Sequence, residues 1–298
     1  MRWNILEISQ NHRYLKLFRG FAVIMEQDTE IARVTLDELC CVLLAAQDVT
    51  ISKQIMVRLA ELGVPVVFCG SNFVPVSIAL PLSGHHLTAH VQASQLSASK
   101  PLRKRLWQKI VKSKIENQAA VLAVQEAYNK AIVRSLIRLS TKVRSGDLEN
   151  CEAQAARIYW PKMMGAAFRR RQKGNDNINN ALNYGYAVMR AACARAIVAA
   201  GLNPAFGLHH NNMRNPLCLV DDVMEIYRPI VDLYVISLPQ EAVLNPSNKA
   251  TLAGLLQLDA EVSNKTTTVA KSMQYLAVSL VKAVESGVAD LVIPKIIN

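Results

Sequence analysis

The hydrophobic period changes once along this chain, and that change limits its possible architecture more than any other feature. Up to about residue 70 the apolar residues fall in short, alternating or β-branched runs: W-N-I-L-E-I from Trp3, Y-L-K-L-F-R from Tyr14, G-F-A-V-I-M from Gly20, I-A-R-V-T-L from Ile31 and L-C-C-V-L-L from Leu39. Such runs predict strands. One helix interrupts them over Ser52 to Gly63, with Ser52 as its N-cap and Gly63 just past its end, and the buried strand V-P-V-V-F-C-G follows. From Pro75 to about Thr88 the residues turn to Pro, Ser, Gly and His, a linker signature. Beyond it Leu106, Ile110, Val111, Ile115 and Ala119 recur at helical spacing, and the run A-V-L-A-V-Q-E-A-Y-N-K-A-I-V-R-S-L-I-R-L prolongs the pattern. Asn179 to Ala200 reads as another helix, stopped by Gly201 and Pro204, and Leu252 to Ser286 supplies at least two more. The expectation is an α+β chain. An N-terminal β-rich domain covers residues 1–74, a linker 75–90, and a larger all-α domain 91–298, with no internal repeat.

Charge is as unevenly spread as the period. Residues 91–229 hold 22 Lys/Arg against 9 Asp/Glu, a net of +13 that exceeds the +11 of the whole chain, while the segments on either side each carry a net of −1. A basic excess confined to one region suits a polyanion, because each cation set near a phosphate releases condensed counterions. Double-stranded DNA is the expected partner. The densest run, Lys100 to Lys114, has seven cations and no acid, and F-R-R-R-Q-K from Phe168 to Lys173 is a second. Lys100, Arg103, Lys104, Arg105 and Lys109, with Arg169, Arg170 and Arg171, are the candidate DNA contacts. Taken singly, each run reads equally well as a solvated helix face.

Between His209 and Glu225 stand two histidines, two aspartates and a glutamate, and Glu152 opens a helix of small residues upstream. Carboxylates with an imidazole suit a hard divalent cation, Mg²⁺ or Mn²⁺. Cys40, Cys41, Cys69, Cys151, Cys193 and Cys218 have no C-x-x-C spacing, which argues against structural zinc and leaves them as small buried hydrophobes. Each candidate has a plainer reading. From the residues alone Glu152 is more simply an exposed first-turn acid favoured by the helix dipole. Asp221, Asp222 and Glu225 could pair with Arg228 or Arg214, although acids outnumber nearby cations. Spacing does not choose between His209 and His210. His85, His86 and His90 lie in the linker without neighbouring acids and are expected to be exposed or near DNA.

Five motifs then occur in one order: L-W-Q-K-I-V with K-I-E-N-Q-A over 106–119, E-A-Q-A-A-R-I-Y-W from Glu152, N-N-A-L-N-Y-G-Y from Asn179, G-L-N-P-A-F-G-L-H-H from Gly201, and L-V-D-D-V-M-E-I-Y-R-P-I-V-D from Leu219. In this combination the chain resembles, over essentially its whole length, the CRISPR-associated endonuclease/integrase family that inserts new spacers into CRISPR arrays, in the compact form of type II systems. The resemblance implies Glu152, His210 and Glu225 as catalytic metal ligands for Mg²⁺ or Mn²⁺, with Asp221 and Asp222 as supporting acids. Ala153 stands where the family has glycine and Trp160 where phenylalanine is common; neither change removes a ligand.

The resemblance also implies the chemistry and the partners. A DNA 3′-hydroxyl would attack a repeat phosphodiester, a transesterification rather than a net hydrolysis. The protein would form a homodimer through its N-terminal domains, and two dimers would be bridged by a small ferredoxin-like CRISPR adaptation protein in a four-to-two complex, with other type II CRISPR proteins as further candidate partners. A hydrolytic nuclease acting on branched DNA is the rival enzyme, and an architectural DNA-binding protein the rival without chemistry. Arg190 and Arg195 interrupt the apolar stretch from Tyr186 to Phe206, and Arg13, Lys16 and Arg19 break any apolar core near the N-terminus. No membrane span and no signal peptide are therefore expected, and the location is expected to be cytoplasmic.

Overall fold

The computed structural model describes residues 4–70, 75–81, 86–125, 129–171, 176–238 and 244–295. His85 and Lys173 lie outside them. The N-terminal region holds two four-stranded sheets. In the first, β5 (Leu39–Leu44) runs parallel to β1 (Asn4–Ile8) on one side and β7 (Val66–Cys69) on the other. The second is built from β2 (Arg13–Phe18), β3 (Phe21–Glu26), β4 (Thr29–Thr35) and β6 (Val49–Ile51), with β3 antiparallel to both β2 and β4. Every residue of β5 is buried, which explains its unbroken L-C-C-V-L-L. Alternation then sorts its side chains. Val42 and Leu44 face a core shared with Leu15, Ile24 and the helix α1 (Lys53–Glu61), through Ile55 and Leu59. Cys41 and Leu43 face the opposite way, into the helical region.

Two expectations change. Pro75–Ala79, placed in the linker by its composition, is the strand β8, antiparallel to β7 at the edge of the first sheet. A proline at the first position of an edge strand costs no ladder bond, so composition misled. The C-terminal region is also not purely helical: β9 (Asp259–Val262) and β10 (Lys265–Thr268) form a hairpin. Its turn residues Ser263 and Asn264 both have positive φ, the conformation a two-residue type I′ turn requires.

The helices are α2 (Thr88–Ser97), α3 (Lys100–Ala123), α4 (Lys130–Lys142), α5 (Cys151–Met164), α6 (Asn177–Ala199), α7 (Cys218–Met224), α8 (Arg228–Ser237), α9 (Pro246–Gly254) and α10 (Val269–Ser286). The continuous period read through residues 106–139 is divided between α3 and α4. Asn129 starts the second helix by accepting from the amides of Ala131 and Ile132. The two form an antiparallel hairpin, with Gln108 Nε2 donating to the Val143 carbonyl at 2.7 Å and Ser140 Oγ to Glu116 Oε1 at 3.3 Å. Helix α6 is buried over most of its length and packs against α7, α8, α9, α10 and β5. Its Arg195 donates to the carbonyls of Leu39 and Cys40 at the start of β5. Glu7 of β1 receives the Tyr184 hydroxyl and the Lys249 ammonium, each at 2.7 Å. The first sheet and the helices therefore share one core. Among the described residues, no helix is long and apolar enough to cross a membrane.

Candidate active site

Three helices bring the acidic residues together around one lysine. Glu152 stands in the first turn of α5, where the positive end of the helix dipole favours a carboxylate. The start of α5 is fixed by Asp147, whose carboxylate accepts from the amides of Cys151 at 2.8 Å and Glu152 at 3.0 Å. Glu225 terminates α7 and is buried. From α3, Lys114 places its ammonium 2.6 Å from Glu152 Oε1 and 2.5 Å from Glu225 Oε2. Arg228 Nε sits 2.9 Å from the other Glu225 oxygen. Burial presses the Lys114 pKa down, but Glu225 and Glu152 outweigh it and the ammonium is held above its usual value. Burial likewise pushes Glu225 up, and Lys114 and Arg228 bring it below the usual carboxylate range. Lys114 and Glu225 are thus both charged near neutrality.

The histidines part company. His209 stacks flat on Trp107 of α3, ring centres 4.5 Å apart and planes 4° from parallel. His210 turns its Nδ1 to Asp222 Oδ1 at 2.6 Å. Asp222 is wholly buried and also accepts from the backbone amides of Leu208, His209 and His210, at 2.6, 3.1 and 3.2 Å. One carboxylate therefore shapes the turn and fixes the ring. With the Nδ1 proton committed to Asp222, the lone pair of His210 lies on Nε2. The Asp222 hydrogen bond raises the imidazole pKa, with burial opposing. Asp221 is held apart, in a two-pronged contact with Arg190 of α6 at 2.6 and 2.8 Å and with Asn215 Nδ2 at 2.7 Å.

The turn has no room for a side chain at Gly207. A Cβ there would lie 2.2 Å from the His210 carbonyl oxygen and 2.8 Å from Asp222 Oδ2. Gly207→Ala is expected to lower stability by about 1–3 kcal/mol, because the crowded atoms belong to backbone and to a buried carboxylate. The midpoint of thermal unfolding measures this, and an unchanged midpoint would show that the turn yields at no cost.

Glu152, His210 and Glu225 come from three separate elements yet face one region of the α3 surface. The sequence reading that acids exceed their matching cations is corrected here: Lys114, Arg228 and Arg190 supply the partners, two of them from helices remote in sequence. Among the described residues no three His, Cys, Asp or Glu side chains are gathered closely enough to form a ready metal cluster. The donor set is nonetheless the one a hard divalent cation takes, two carboxylates and an imidazole nitrogen. Glu225 Oε2 is buried without an aligned hydrogen-bond donor, and the charge between the carboxylates is already a cation.

Beside His210 opens a cavity of about 440 Å³ lined by Arg170, Arg190, Arg228, Asn183 and Asn215. Arg170 is less free than its run suggests. It donates to Asn179 and Asn183 at 2.9 and 2.7 Å and covers the Tyr186 ring at 5.1 Å, while Arg169 and Arg171 beside it are exposed. On α3, Lys100, Lys104 and Arg105 are exposed, Lys109 is half-buried, and half-buried Arg103 lines a second cavity with Phe206 and His210. His86 is exposed, and exposed His90 lies 3.6 Å from Glu285 of α10. Cys151 is buried with its thiol pKa raised by burial, as expected of a packing residue. Lys114, Asp147 and Trp107 were not singled out by sequence. For Lys114 a signal existed: it falls seven residues after Trp107, on the buried stripe of α3 and not on its solvent face.

Known proteins share this arrangement of sheets and helices. The family profile "CRISPR associated protein Cas1" matches residues 6–269. The CRISPR-associated endonuclease Cas1 of Neisseria meningitidis serogroup C is 35% identical over 294 residues, covering 97% of this chain and 93% of that protein. Among solved structures, a casposase bound to its integration product superposes with a TM-score of 0.79 at 19% identity, over 98% of this chain and 92% of that one. A chain of a Cas6-RT-Cas1–Cas2 complex superposes with a TM-score of 0.77 at 19% identity, over 97% of this chain and 36% of its own length. The turn held by Asp222, the charged contacts around Lys114 and the β-rich-then-helical order are thus features of a chain that belongs to the Cas1 family of CRISPR-associated proteins.

Proposed function

We propose that this protein is a metal-dependent DNA integrase and endonuclease of CRISPR adaptation, joining new spacer DNA to repeat phosphodiesters by attack of a DNA 3′-hydroxyl. The observation that carries the reading is the convergence of Glu152 and Glu225 on one cation, next to a histidine whose ring is fixed by Asp222. Glu152, His210 and Glu225 are the ligands for Mg²⁺ or Mn²⁺. Such a cation supplies charge neutralisation at the reacting phosphate.

The chain's own residues set the conditions for that chemistry. Asp222 keeps the proton on His210 Nδ1, so that the Nε2 lone pair is presented to the cation. Arg228 holds Glu225 by one oxygen and leaves the other toward Lys114. The exposed cations of the 91–229 region hold DNA through its phosphates, with little reading of bases. The Neisseria relative's name, an endonuclease, supports nucleic-acid chemistry, and the Cas1–Cas2 complex supports a small adaptation protein as partner. The working assembly is a homodimer pairing through the N-terminal sheets, two of which bind that partner in the cytoplasm.

The attacking group tests the reading. Given duplexes with free 3′-hydroxyls, a supercoiled plasmid carrying a leader and repeat, Mg²⁺ or Mn²⁺ and the adaptation partner, the protein is expected to yield covalently joined DNA. With 3′-dideoxy ends joining should disappear. Equal plasmid cleavage with free and blocked ends, without joined product, would instead establish a hydrolytic nuclease.

A further inference from the structure

Helix α4 carries a charge pattern that neither the fold nor the active site uses. Its sequence, K-A-I-V-R-S-L-I-R-L-S-T-K, places Lys130, Arg134, Arg138 and Lys142 at strict four-residue intervals, and contains no acid. All four side chains are exposed. The opposite face, through Leu136, Leu139 and Ser140, is buried. An i, i+4 row is a continuous ridge on a helix, so the four cations form one stripe about 18 Å long.

Such a stripe works against the helix that bears it. Like charges at i and i+4 repel, and Lys130 in the first turn faces the positive end of the dipole. Solvated helix faces usually alternate signs and so relieve this repulsion. Here nothing does. Among the described residues none of the four forms an ion pair, whereas the neighbouring Lys112 and Arg144 are matched by Glu116 and Glu149.

The stripe also leads somewhere. Residues 143–150 connect the C-terminus of α4 directly to the first turn of α5, where Glu152 stands. Helix α4 also packs against α5.

We propose that the Lys130, Arg134, Arg138 and Lys142 stripe is a binding track for the phosphate backbone of duplex DNA, running along the outer face of α4 toward the connection to α5. Its residues belong to neither the α3 run nor the Arg169 to Arg171 segment. The step between cations, about 6 Å along the axis, is comparable to the spacing of successive phosphates on one strand. Within α4 no aromatic side chain offers a stacking platform, so the occupant is a duplex held by its backbone and not an unpaired strand held by its bases. The proposal rests on DNA being the substrate, as proposed above.

The test replaces all four cations by glutamine, a good helix former, in the full-length protein. A control replaces the exposed Lys53, Lys265, Lys271 and Lys282, which removes the same net charge elsewhere. Duplex affinity is measured by fluorescence anisotropy across a salt series. The α4 variant is expected to bind at least about tenfold more weakly whatever the duplex sequence, and to lose about three units of salt slope. Arg134→Gln with Arg138→Gln alone should lose about half of that slope, which preserves the test if the quadruple variant folds poorly. The control should retain the wild-type slope. An unchanged slope in the α4 variant, or an equal change in the control, would overturn the track. A wild-type protein without affinity for DNA would retire the parent reading instead.

Discussion

Replacing Lys114 by methionine is expected to destabilise the metal-free protein by about 3 kcal/mol, near the lower end for a broken buried ion pair. Methionine keeps the length and packing of the side chain and deletes only its charge. Glu225, 5% exposed at its side chain, would then face Glu152 across an apolar tip. Arg228 still neutralises part of that charge, and Glu152, about a quarter exposed, turns toward water; both limit the loss. Because the deleted charge lies where the proposed cation would act, millimolar Mg²⁺ or Mn²⁺ should raise the unfolding midpoint of Lys114→Met more than that of the wild type. Equal stability of the two proteins without metal would mean that the ammonium contributes nothing net between its carboxylates.

The second large effect separates two neighbouring roles. His210→Ala should reduce DNA joining to background with little change in stability, since the ring is half-exposed and Asp222 keeps its three backbone amides. Asp222→Ala should lose both. It leaves those buried amides without an acceptor, at about 1–3 kcal/mol each where water does not reach, and it frees the His210 ring, for which a loss of about 10–100-fold in activity is typical of such supporting groups. Thermal unfolding and a joining assay on the same preparations decide this. Wild-type stability in Asp222→Ala would remove the carboxylate from its structural role, and wild-type joining in His210→Ala would remove the histidine from the site.

Much of this architecture was legible because period and burial coincide. Strand β5 reads as an apolar run because both of its faces are covered, and α1 announces itself through Ser52 and Gly63. The edge strand β8 escaped because its composition, led by proline, is that of a loop and its pairing partner is supplied only by the folded sheet. The β9–β10 hairpin had a local signal in Ser263 and Asn264, overridden by the helical pattern around it. At the site, motif order implied Glu152, His210 and Glu225, but not the manner of their support. Lys114 is hidden within a run of basic residues of which Lys100, Lys104, Arg105 and Lys112 face solvent, and only tertiary packing shows that it pairs with acids 38 and 111 residues further along. Spacing left His209 and His210 equivalent; Trp107 and Asp222, which distinguish their surroundings, come from α3 and α7.

The bonds made by Glu7 bear on the order in which the molecule assembles. Its carboxylate lies in the first strand, yet its partners are 177 and 242 residues away in the chain. Contacts of such separation close late, because the intervening loop entropy must be overcome before they repay it. During synthesis the N-terminal strands can pair while this carboxylate is still hydrated, and its pair with Lys249 forms only after α9 has emerged. By then Glu152, His210 and Glu225 have all been made. A nascent chain therefore carries its strands well before it carries the proposed metal ligands, and a polypeptide cut short before Lys249 would leave the Glu7 carboxylate with the Tyr184 hydroxyl but without its ammonium partner.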